Sequence, residues 1–323
     1  MHKSAQAAGH GNDPGGKLAN SNASGVSVVR EFPRRLTGGA IALALFVSML
    51  WGGNVAGLKV GLATFPPFWS AFWRMLLGLA VLLAWAAFNR TDLRLRTGEG
   101  RSLTLLGLLF SAQIALLNFG TQYSSPAYAV VLVNANPLFA NIIGHFLPLE
   151  QRLSVARVLG LTIAFGGLCW VMLGEPDAAL APHPFLGNAL TAVSACLLGL
   201  RMLFTRHLVQ SIPPLRAIVW QVAVSLPVFL VAAVLVEPTV LKEVAWPAIA
   251  ALFYTGAIVA GFCFVMWADL LKRYSAGTLS MFSFTVPFFG IAASAVMFGE
   301  PVTARLLVGA VMVTLGIGIV SRV

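Results

Sequence analysis

Long apolar runs alternate with short polar connections along most of the chain. A helix needs about 20 apolar residues to cross a hydrocarbon core of about 30 Å, and the runs are close to that length. They lack the two-residue alternation of barrel strands, so only helices would satisfy the backbone in lipid. The pattern predicts an all-α integral membrane protein with ten transmembrane helices. The predicted spans cover roughly residues 38–60, 66–88, 103–122, 126–147, 155–173, 184–206, 215–236, 246–269, 276–298 and 302–321.

The apolar pattern occurs twice. Residues that recur at an offset of 150 include Pro137 with Pro287, Phe139 with Phe289 and Glu150 with Glu300; those that recur at 147 include Gly52 with Gly199 and Lys59 with Arg206. Five spans per copy is an odd number, so the second copy enters the membrane from the opposite side. We therefore predict two inverted five-helix repeats, at 38–174 and 184–321, around a site near the bilayer midplane. Residues 1–37 are predicted to form a disordered cytoplasmic tail.

Composition and charge agree with a membrane protein. The chain is 58% hydrophobic and 10% charged, with a mean hydropathy of +0.85, whereas a soluble domain has about 25% charged residues. The even-numbered connections contain arginines, four of them in the second connection (residues 90–101), whereas the odd-numbered ones contain few. The positive-inside rule therefore places the even connections and both termini in the cytoplasm. These loops explain the net charge of +10, so no nucleic-acid partner is predicted.

Short motifs in both copies carry a family resemblance. They are Leu50-Trp51-Gly52-Gly53-Asn54, Pro66-Pro67 with Arg74, Tyr123-Ser124-Ser125-Pro126-Ala127, Asn136-Pro137 with Glu150, and Phe284-Thr285-Val286-Pro287 with Gly299-Glu300. The chain resembles the drug/metabolite transporter superfamily, specifically its EamA domain, and within it YddG-type exporters of aromatic and other neutral amino acids. The resemblance implies a multi-pass exporter of amino acids or related metabolites in the bacterial inner (plasma) membrane, working by alternating access.

Uncharged polar residues at membrane depth are the candidates for a substrate cavity. No segment carries a carboxylate near its middle, and where small four-span relatives have a glutamate in the first span, this chain has Asn54. A pocket of neutral polar groups suits zwitterions or apolar solutes better than cationic drugs. Hydrogen bonds between helices are expected to account for at least half of these groups. The cavity candidates are Asn54, Arg74, Gln113, Asn118, Asn134, Asn136, Trp267, Ser283 and Thr285.

Two mid-span prolines predict kinks in spans four and nine. A proline leaves the carbonyl one turn earlier without a donor. Asn134 and Ser283 lie within one turn before Pro137 and Pro287, so free carbonyls there are expected to line the cavity. In the superfamily, spans four and nine do line it.

Charged residues near the spans have competing interpretations. Arg74 either meets a substrate carboxylate or donates to main-chain carbonyls, and Arg201 is expected to extend to the lipid headgroups. Glu150 and Glu300 are interpreted as partners of nearby arginines at helix ends. Glycine faces in spans five and ten predict structural or dimer contacts, so a homodimer is possible.

Other function classes stay open at this stage. Efflux of hydrophobic drugs is one alternative, and a membrane-embedded enzyme is another, although the spans show no nucleophile and base set. A non-transporting scaffold or channel is a third. Cys169, Cys196 and Cys263 lie in apolar runs without a CxxC or Cys/His cluster, so neither a cofactor nor a metal is predicted.

Overall fold

The computed structural model describes residues 37–146, 154–238, 244–274 and 276–322. Nine helices in these ranges are long and apolar enough to cross a membrane, and a shorter apolar helix, Ala304–Val320, makes ten. The described ranges contain no strand. The predicted all-α fold with ten spans is therefore confirmed, whereas the predicted tail and Glu150 lie outside the described residues.

The spans are numbered in chain order. They are α1 (Gly38–Leu62), α2 (Pro67–Phe88), α3 (Glu99–Tyr123), α4a (Pro126–Val133) with α4b (Asn136–Phe146), α5 (Val155–Met172), α6 (Pro184–Leu208), α7 (Pro214–Val236), α8a (Trp246–Phe253) with a π segment (Tyr254–Cys263) and α8b (Phe264–Arg273), α9a (Ala276–Ser283) with α9b (Val286–Phe298), and α10 (Ala304–Arg322). Successive spans are antiparallel. We call the end of the bundle with the odd-numbered connections the odd-loop end and the other the even-loop end.

Prolines and hydroxyl caps begin many of these helices. Pro67, Pro184 and Pro214 occupy the first helical position, where a missing N–H costs nothing because it would have no partner. Ser125 accepts a hydrogen bond from the Tyr128 amide at the start of α4a. The short connections between spans are thus marked by the sequence itself.

Contacts between spans follow a two-fold pattern. α1 packs against α8 and α9b, and its counterpart α6 packs against α3 and α4b. α2 packs against the π segment, as α7 packs against α3. Three further pairs join corresponding spans of the two halves. They are α2 with α7, α4a with α9b, and α5 with α10. Two repeats related by an axis in the membrane plane require this arrangement, which agrees with the predicted inverted repeats.

Two glycines show the repeat in atomic detail. A Cβ on Gly52 of α1 would lie 2.8 Å from the carbonyl oxygen of Val286, and one on Gly199 of α6 would lie 2.8 Å from the carbonyl oxygen of Asn136. Val286 and Asn136 begin α9b and α4b. Only glycine allows the helices to cross this closely, so the same requirement is met once in each half.

The glycine faces of α5 and α10 pack against each other. A Cβ on Gly316 would lie 2.5 Å from the carbonyl oxygen of Gly160, and one on Gly167 would lie 3.0 Å from that of Gly309. These faces therefore form a contact within one chain, and the homodimer stays a prediction.

Large apolar side chains cover the outside of the bundle. Leu235, Val296 and Leu315 are more than half exposed, and many similar residues surround them. Soluble monomers rarely expose contiguous apolar patches of more than a few hundred Å². This surface is therefore in contact with lipid, and the chain is a multi-pass membrane protein.

The middle of α8 is a π-helix, which the sequence pattern did not predict. Gly256 and Gly261 lie in it, and a Cβ on either would come within 2.7 Å of α2 at Arg74 or Val81. Tyr254, its first residue, donates a hydrogen bond of 2.6 Å to the Leu50 carbonyl oxygen of α1. The segment thus brings α8 against α1 and α2. Wide turns of this kind occur often at functional sites.

Candidate functional site

Breaks in spans four and nine lie at matching positions. α4a ends at Val133 and α4b begins at Asn136, while α9a ends at Ser283 and α9b begins at Val286. The two breaks are 150 residues apart, and each directly precedes the proline for which a kink was predicted. The unwound residues lie near the middle of their spans, where backbone polar groups are tolerated only beside protein or a cavity.

The carbonyl groups before the two prolines differ in their hydrogen bonding. Pro137 cannot donate to the Val133 carbonyl, and the Asn136 side-chain amide donates to it instead at 3.0 Å. In span nine, Val286 has no polar side chain, and the Ser283 carbonyl has no donor among the described residues. The free carbonyl predicted before a proline is therefore present in span nine and filled in span four.

The other polar side chains at the breaks bond locally. Asn134 donates through Nδ2 to the Val130 carbonyl at 2.7 Å, and Thr285 donates through Oγ1 to the Phe282 carbonyl at 2.6 Å. Both residues are half-buried, as is Ser283. One N–H of Asn134 and the Thr285 hydroxyl thus donate within their own helices, and the Asn134 amide oxygen is an acceptor that a solute could use.

An aromatic cluster includes Trp51 near the middle of α1, about one turn before Asn54. The rings of Trp51 and Trp267 are 5.0 Å apart, and those of Trp51 and Phe264 are 6.1 Å apart. The Oδ1 atom of Asn54 is buried without a hydrogen-bond partner. Since α1 also crosses the start of α9b at Gly52, the structure brings Asn54 and Trp267 to the level of the break in span nine.

Arg74, Asn118 and Gln113 form contacts between helices. Arg74 of α2 is 3% exposed and donates through Nη1 to Asn118 Oδ1 of α3 at 3.1 Å. Asn118 donates to the Pro67 carbonyl at 2.7 Å. Gln113 donates to Ser194 Oγ of α6 at 3.3 Å. Three of the nine cavity candidates therefore connect α3 to its neighbours, and they are not gathered around the breaks.

Arg201 differs from its predicted position. Instead of extending to the headgroups, its Nη1 donates to Gln221 Oε1 of α7 at 2.8 Å, and its guanidinium lies 5.1 Å from the centre of the Phe110 ring. The Phe110 ring and the Gln221 amide oxygen inside the bundle hold the Arg201 guanidinium in place. The signal that could have found this pair is the offset of 147, which relates Arg201 to Asn54 and Gln221 to Arg74.

A lysine closes the odd-loop end. The Lys59 ammonium donates to the carbonyl oxygens of Thr121 at 2.8 Å, Gln122 at 2.8 Å and Ser124 at 2.9 Å. These carbonyls lie at the carboxyl end of α3, where helix carbonyls lack partners and the helix dipole favours a cation. The contact fixes α1 to the connection between α3 and α4a.

Glu300 supports the same end, but with partners other than the predicted arginine. Its carboxylate accepts a hydrogen bond from Ser294 Oγ and one of 3.3 Å from the Ala127 amide at the start of α4a. It also interacts electrostatically with Lys59 without a direct ion pair. A helix amino terminus favours an anion, so an acid and a base here hold the ends of two successive helices.

Glu237 joins α7 to α2 at the same end. Its two carboxylate oxygens accept hydrogen bonds from the Phe68 amide at 2.7 Å and the Trp69 amide at 3.0 Å. Burial raises the pKa of Glu237, and the two amide bonds oppose that shift. The carboxylate is thus a cap for the amino end of α2.

Arg216 stabilises the even-loop end between α7 and the connection before α3. It is 1% exposed and donates to Glu99 Oε1 at 3.1 Å and to Asp92 Oδ2 at 3.3 Å. The backbone amide of Arg94 lowers the pKa of Asp92, and Arg216 lowers it further. This arginine therefore has the carboxylate partners that a buried cation requires.

The two ends of the bundle are packed differently. All eight residues of α4a are buried, and α4a contacts α9b, α6, α5 and α10. Its counterpart α9a packs against α1 and α8b, and within the described ranges it makes no comparable contact with α4b. Met281 of α9a is 56% exposed. At the odd-loop end α4a is therefore enclosed by its neighbours, whereas the described residues of α9a contact fewer spans at the even-loop end.

The residues that the structure describes offer no group of three His, Cys, Asp or Glu side chains that could hold a metal ion. The polar groups at membrane depth are amides, hydroxyls and two guanidinium groups. Such groups can bind and orient a solute.

Two inverted five-helix repeats with paired mid-membrane breaks define the class of the protein, a membrane transporter. The chain belongs to the EamA-like transporter family, which matches residues 38–173 and 185–322. The family thus matches once in each half.

Relatives of similar length carry transporter names. The chain is 24% identical to the uncharacterized transporter YoaV of Bacillus subtilis, over 84% of this chain and 92% of the relative. It is 27% identical to a probable amino-acid metabolite efflux pump of Salmonella typhimurium and 26% identical to one of Escherichia coli, in each case over 85% of this chain and 92% of the relative. A solved crystal structure has the same fold, with a TM-score of 0.61 at 19% identity over 88% of this chain and 98% of that one.

Proposed function

We propose that the protein exports amino acids or related small metabolites from the cell by alternating access. The observation that carries the proposal is the unlike packing of the two ends around a pair of broken spans. α4a is enclosed at the odd-loop end, whereas the described residues of α9a contact fewer spans at the even-loop end. Equivalent elements that are packed in two different ways are what alternation between two openings requires.

The arginine distribution supports the orientation. The even-numbered connections include Arg90, Arg94, Arg96 and Arg101, which favours a cytoplasmic even-loop end with both termini inside the cell. The bacterial relatives support a place in a bacterial inner membrane. The closed odd-loop end then faces outward. The present conformation is accordingly the one that admits solutes from the cytoplasm.

The chemistry of the breaks supports the substrate class. Asn134 offers an amide oxygen and Ser283 a free carbonyl, which suit an ammonium group, and Trp267 with Trp51 offers an apolar surface. Relatives named as probable amino-acid metabolite efflux pumps support the same class. A preference for aromatic and other neutral amino acids, as in YddG-type exporters, is part of the proposal.

Flux in proteoliposomes tests the proposal. A ¹⁴C-labelled mixture of the 20 L-amino acids is loaded, and its efflux is compared between vesicles with and without protein. Asn134→Leu is expected to reduce flux more than folded yield. Asn89→Leu is the matched control, because Asn89 makes the same local bond, to the Trp85 carbonyl at 2.9 Å, at an exposed helix end. Absence of protein-dependent efflux would contradict the proposal, and so would a chemically altered product, which indicates an enzyme.

Hydrophobic drug efflux is the second candidate function. The cluster of Trp51, Phe264 and Trp267 favours it, because aromatic faces bind planar apolar solutes. The same vesicles separate the two functions. Displacement of the labelled amino acids by unlabelled amino acids supports the first, and transport of an apolar dye alone supports the second.

A further inference from the structure

Two arginines in membrane-spanning helices lack an acidic partner. Arg74 bonds to the Asn118 amide, and Arg201 bonds to the Gln221 amide. Neither forms an ion pair with a carboxylate in the described ranges. The Nε atom of each is buried without an acceptor. Since arginine stays protonated in proteins, each site has an uncompensated positive charge.

Another buried arginine of this chain, Arg216, does have carboxylate partners. Arg216 is as well buried as Arg74 and is paired with Glu99 and Asp92. A buried charge is costly unless it is paired, and in membranes such residues usually lie on ion or substrate paths. The missing carboxylates at Arg74 and Arg201 therefore indicate a partner that comes from outside the chain.

The two arginines occupy related positions in the repeat, with their amides exchanged. Asn54 and Arg201 are 147 residues apart, and so are Arg74 and Gln221. Each half thus has one arginine and one amide at the same two positions. In the second half the pair is hydrogen-bonded at 2.8 Å. In the first half, Arg74 Nε and Asn54 Oδ1 both lack a partner.

Both guanidinium groups lie against one face of α3. Arg201 contacts Phe110 and Arg74 contacts Asn118. Phe110 and Asn118 are eight residues apart, which places them on the same helix face and about 12 Å apart. Ile114 lies between them and is buried. About two turns of α3 therefore separate two cationic sites. One lies seven residues from the odd-loop end of α2 and the other seven from the even-loop end of α6.

We propose that the two arginine–amide pairs are two sites that bind the carboxylate of the substrate in turn, one on each side of the bilayer centre. The inference rests on the proposed transport function and deepens it. A guanidinium binds a carboxylate through two parallel hydrogen bonds. A neutral amide partner keeps the arginine in position without using its charge. The protein then selects solutes with a carboxylate over their amide derivatives.

Binding and flux of the ¹⁴C-labelled L-amino-acid mixture are measured side by side. Binding uses scintillation proximity with purified protein, and flux uses proteoliposomes. L-phenylalanine and L-phenylalaninamide compete against the label at equal concentrations. The variants are Arg74→Gln and Arg201→Gln, with Arg94→Gln as an exposed control. The double variant Asn54→Arg/Arg74→Gln copies the arrangement of the second half into the first.

We expect Arg74→Gln and Arg201→Gln to lower kcat/KM about tenfold to a hundredfold, as loss of a charged hydrogen bond does. Folded yield is retained, and Arg94→Gln is unchanged. The acid competes better than the amide in the wild type, and this preference falls in both variants, which a purely structural role would not cause. The double variant regains flux over Arg74→Gln.

Four outcomes separate the two proposals. If Arg74→Gln and Arg201→Gln both bind and transport the label as well as the wild type does, the carboxylate sites are overturned and the proposed transport function is retained. Equal competition by acid and amide does the same. Arginine-dependent binding without wild-type flux supports the sites and contradicts transport. The absence of both binding and flux in the wild type overturns both proposals.

Discussion

The contact of Lys59 with the end of α3 gives the sharpest prediction. Its ammonium holds three carbonyl oxygens at 2.8–2.9 Å. Opening of the odd-loop end by separation of α1 from the α3–α4a connection would break all three bonds. Lys59→Met removes the donors while keeping most of the apolar stem, so we expect it to favour the open odd-loop end.

The size of the effect follows from the hydrogen bonds. One hydrogen bond to a charged group contributes about 1.5–3 kcal/mol. Three bonds to one ammonium are not additive, and Lys59 is only half-buried, so we assign about 3 kcal/mol to the whole contact. A loss of that size changes the ratio of closed to open molecules by about a hundredfold.

A cysteine reporter measures the fraction of molecules whose odd-loop end is open. Thr121→Cys serves as the reporter because Thr121 is fully buried and its Oγ1 has no hydrogen-bond partner. It is introduced after Cys169, Cys196 and Cys263 are replaced by alanine. The rate of modification by an impermeant maleimide, added from the odd-loop side, is expected to rise up to about a hundredfold in Lys59→Met.

The control is Lys59→Arg, which keeps a charge and several donors and should remain near the wild-type rate. An unchanged rate in Lys59→Met, with folded protein in both samples, would refute the reasoning, because the lysine would then not hold the odd-loop end closed.

Three further predictions test the packing described above. Asn136→Ala should lower the free energy of unfolding by about 1 kcal/mol, and adding Pro137→Ala should restore it by supplying the missing main-chain donor; thermal unfolding in detergent measures both. Burial raises the pKa of Glu237, so the folded protein binds the Glu237 proton more tightly than the unfolded chain does. The resulting stabilisation is complete below the ordinary pKa of about 4.3 and is lost as pH rises through the raised pKa. Glu237→Gln should therefore flatten the fall in Tm between acid and neutral pH, and an unaltered slope would count against this assignment. Gly316→Leu should abolish folded yield because its Cβ would lie 2.5 Å from α5, whereas Gly318→Leu, whose nearest neighbour is at 3.9 Å, should be tolerated; equal yields would contradict the close contact.

The architecture could be predicted because its signals are local in the sequence. Apolar length sets the number of spans, and the recurrence of Pro137 as Pro287 locates matching breaks 150 residues apart. The π segment could not be predicted, because an apolar run carries no period that distinguishes a π-helix from an α-helix. It depends on close approach of α2 and α1 at Gly256 and Tyr254, which only the folded chain shows.

The site was predicted less completely, since hydrogen-bond partners lie far apart in sequence. Asn118 and Gln113 were recognised as polar groups at membrane depth, but only the fold shows that they bond to Arg74 and Ser194. An arginine partner was predicted for Glu300, whereas in the described residues it interacts electrostatically with Lys59 from the opposite half. The choice between these partners depends on which spans cross, and the apolar pattern does not contain that information.

The unlike packing of α4a and α9a has a consequence for the opposite state of the proposed transport cycle. In that cycle, each half already shows the packing that the other half adopts after the switch, so exchanging the two packing arrangements outlines the missing conformer. In the present structure Val130 of α4a packs on Gly290 of α9b. The counterpart of that pair, 150 residues away in each direction, is residue 280 with Ala140. A crosslink between positions 280 and 140 should therefore trap the outward-open conformer, and one between 130 and 290 the conformer described here.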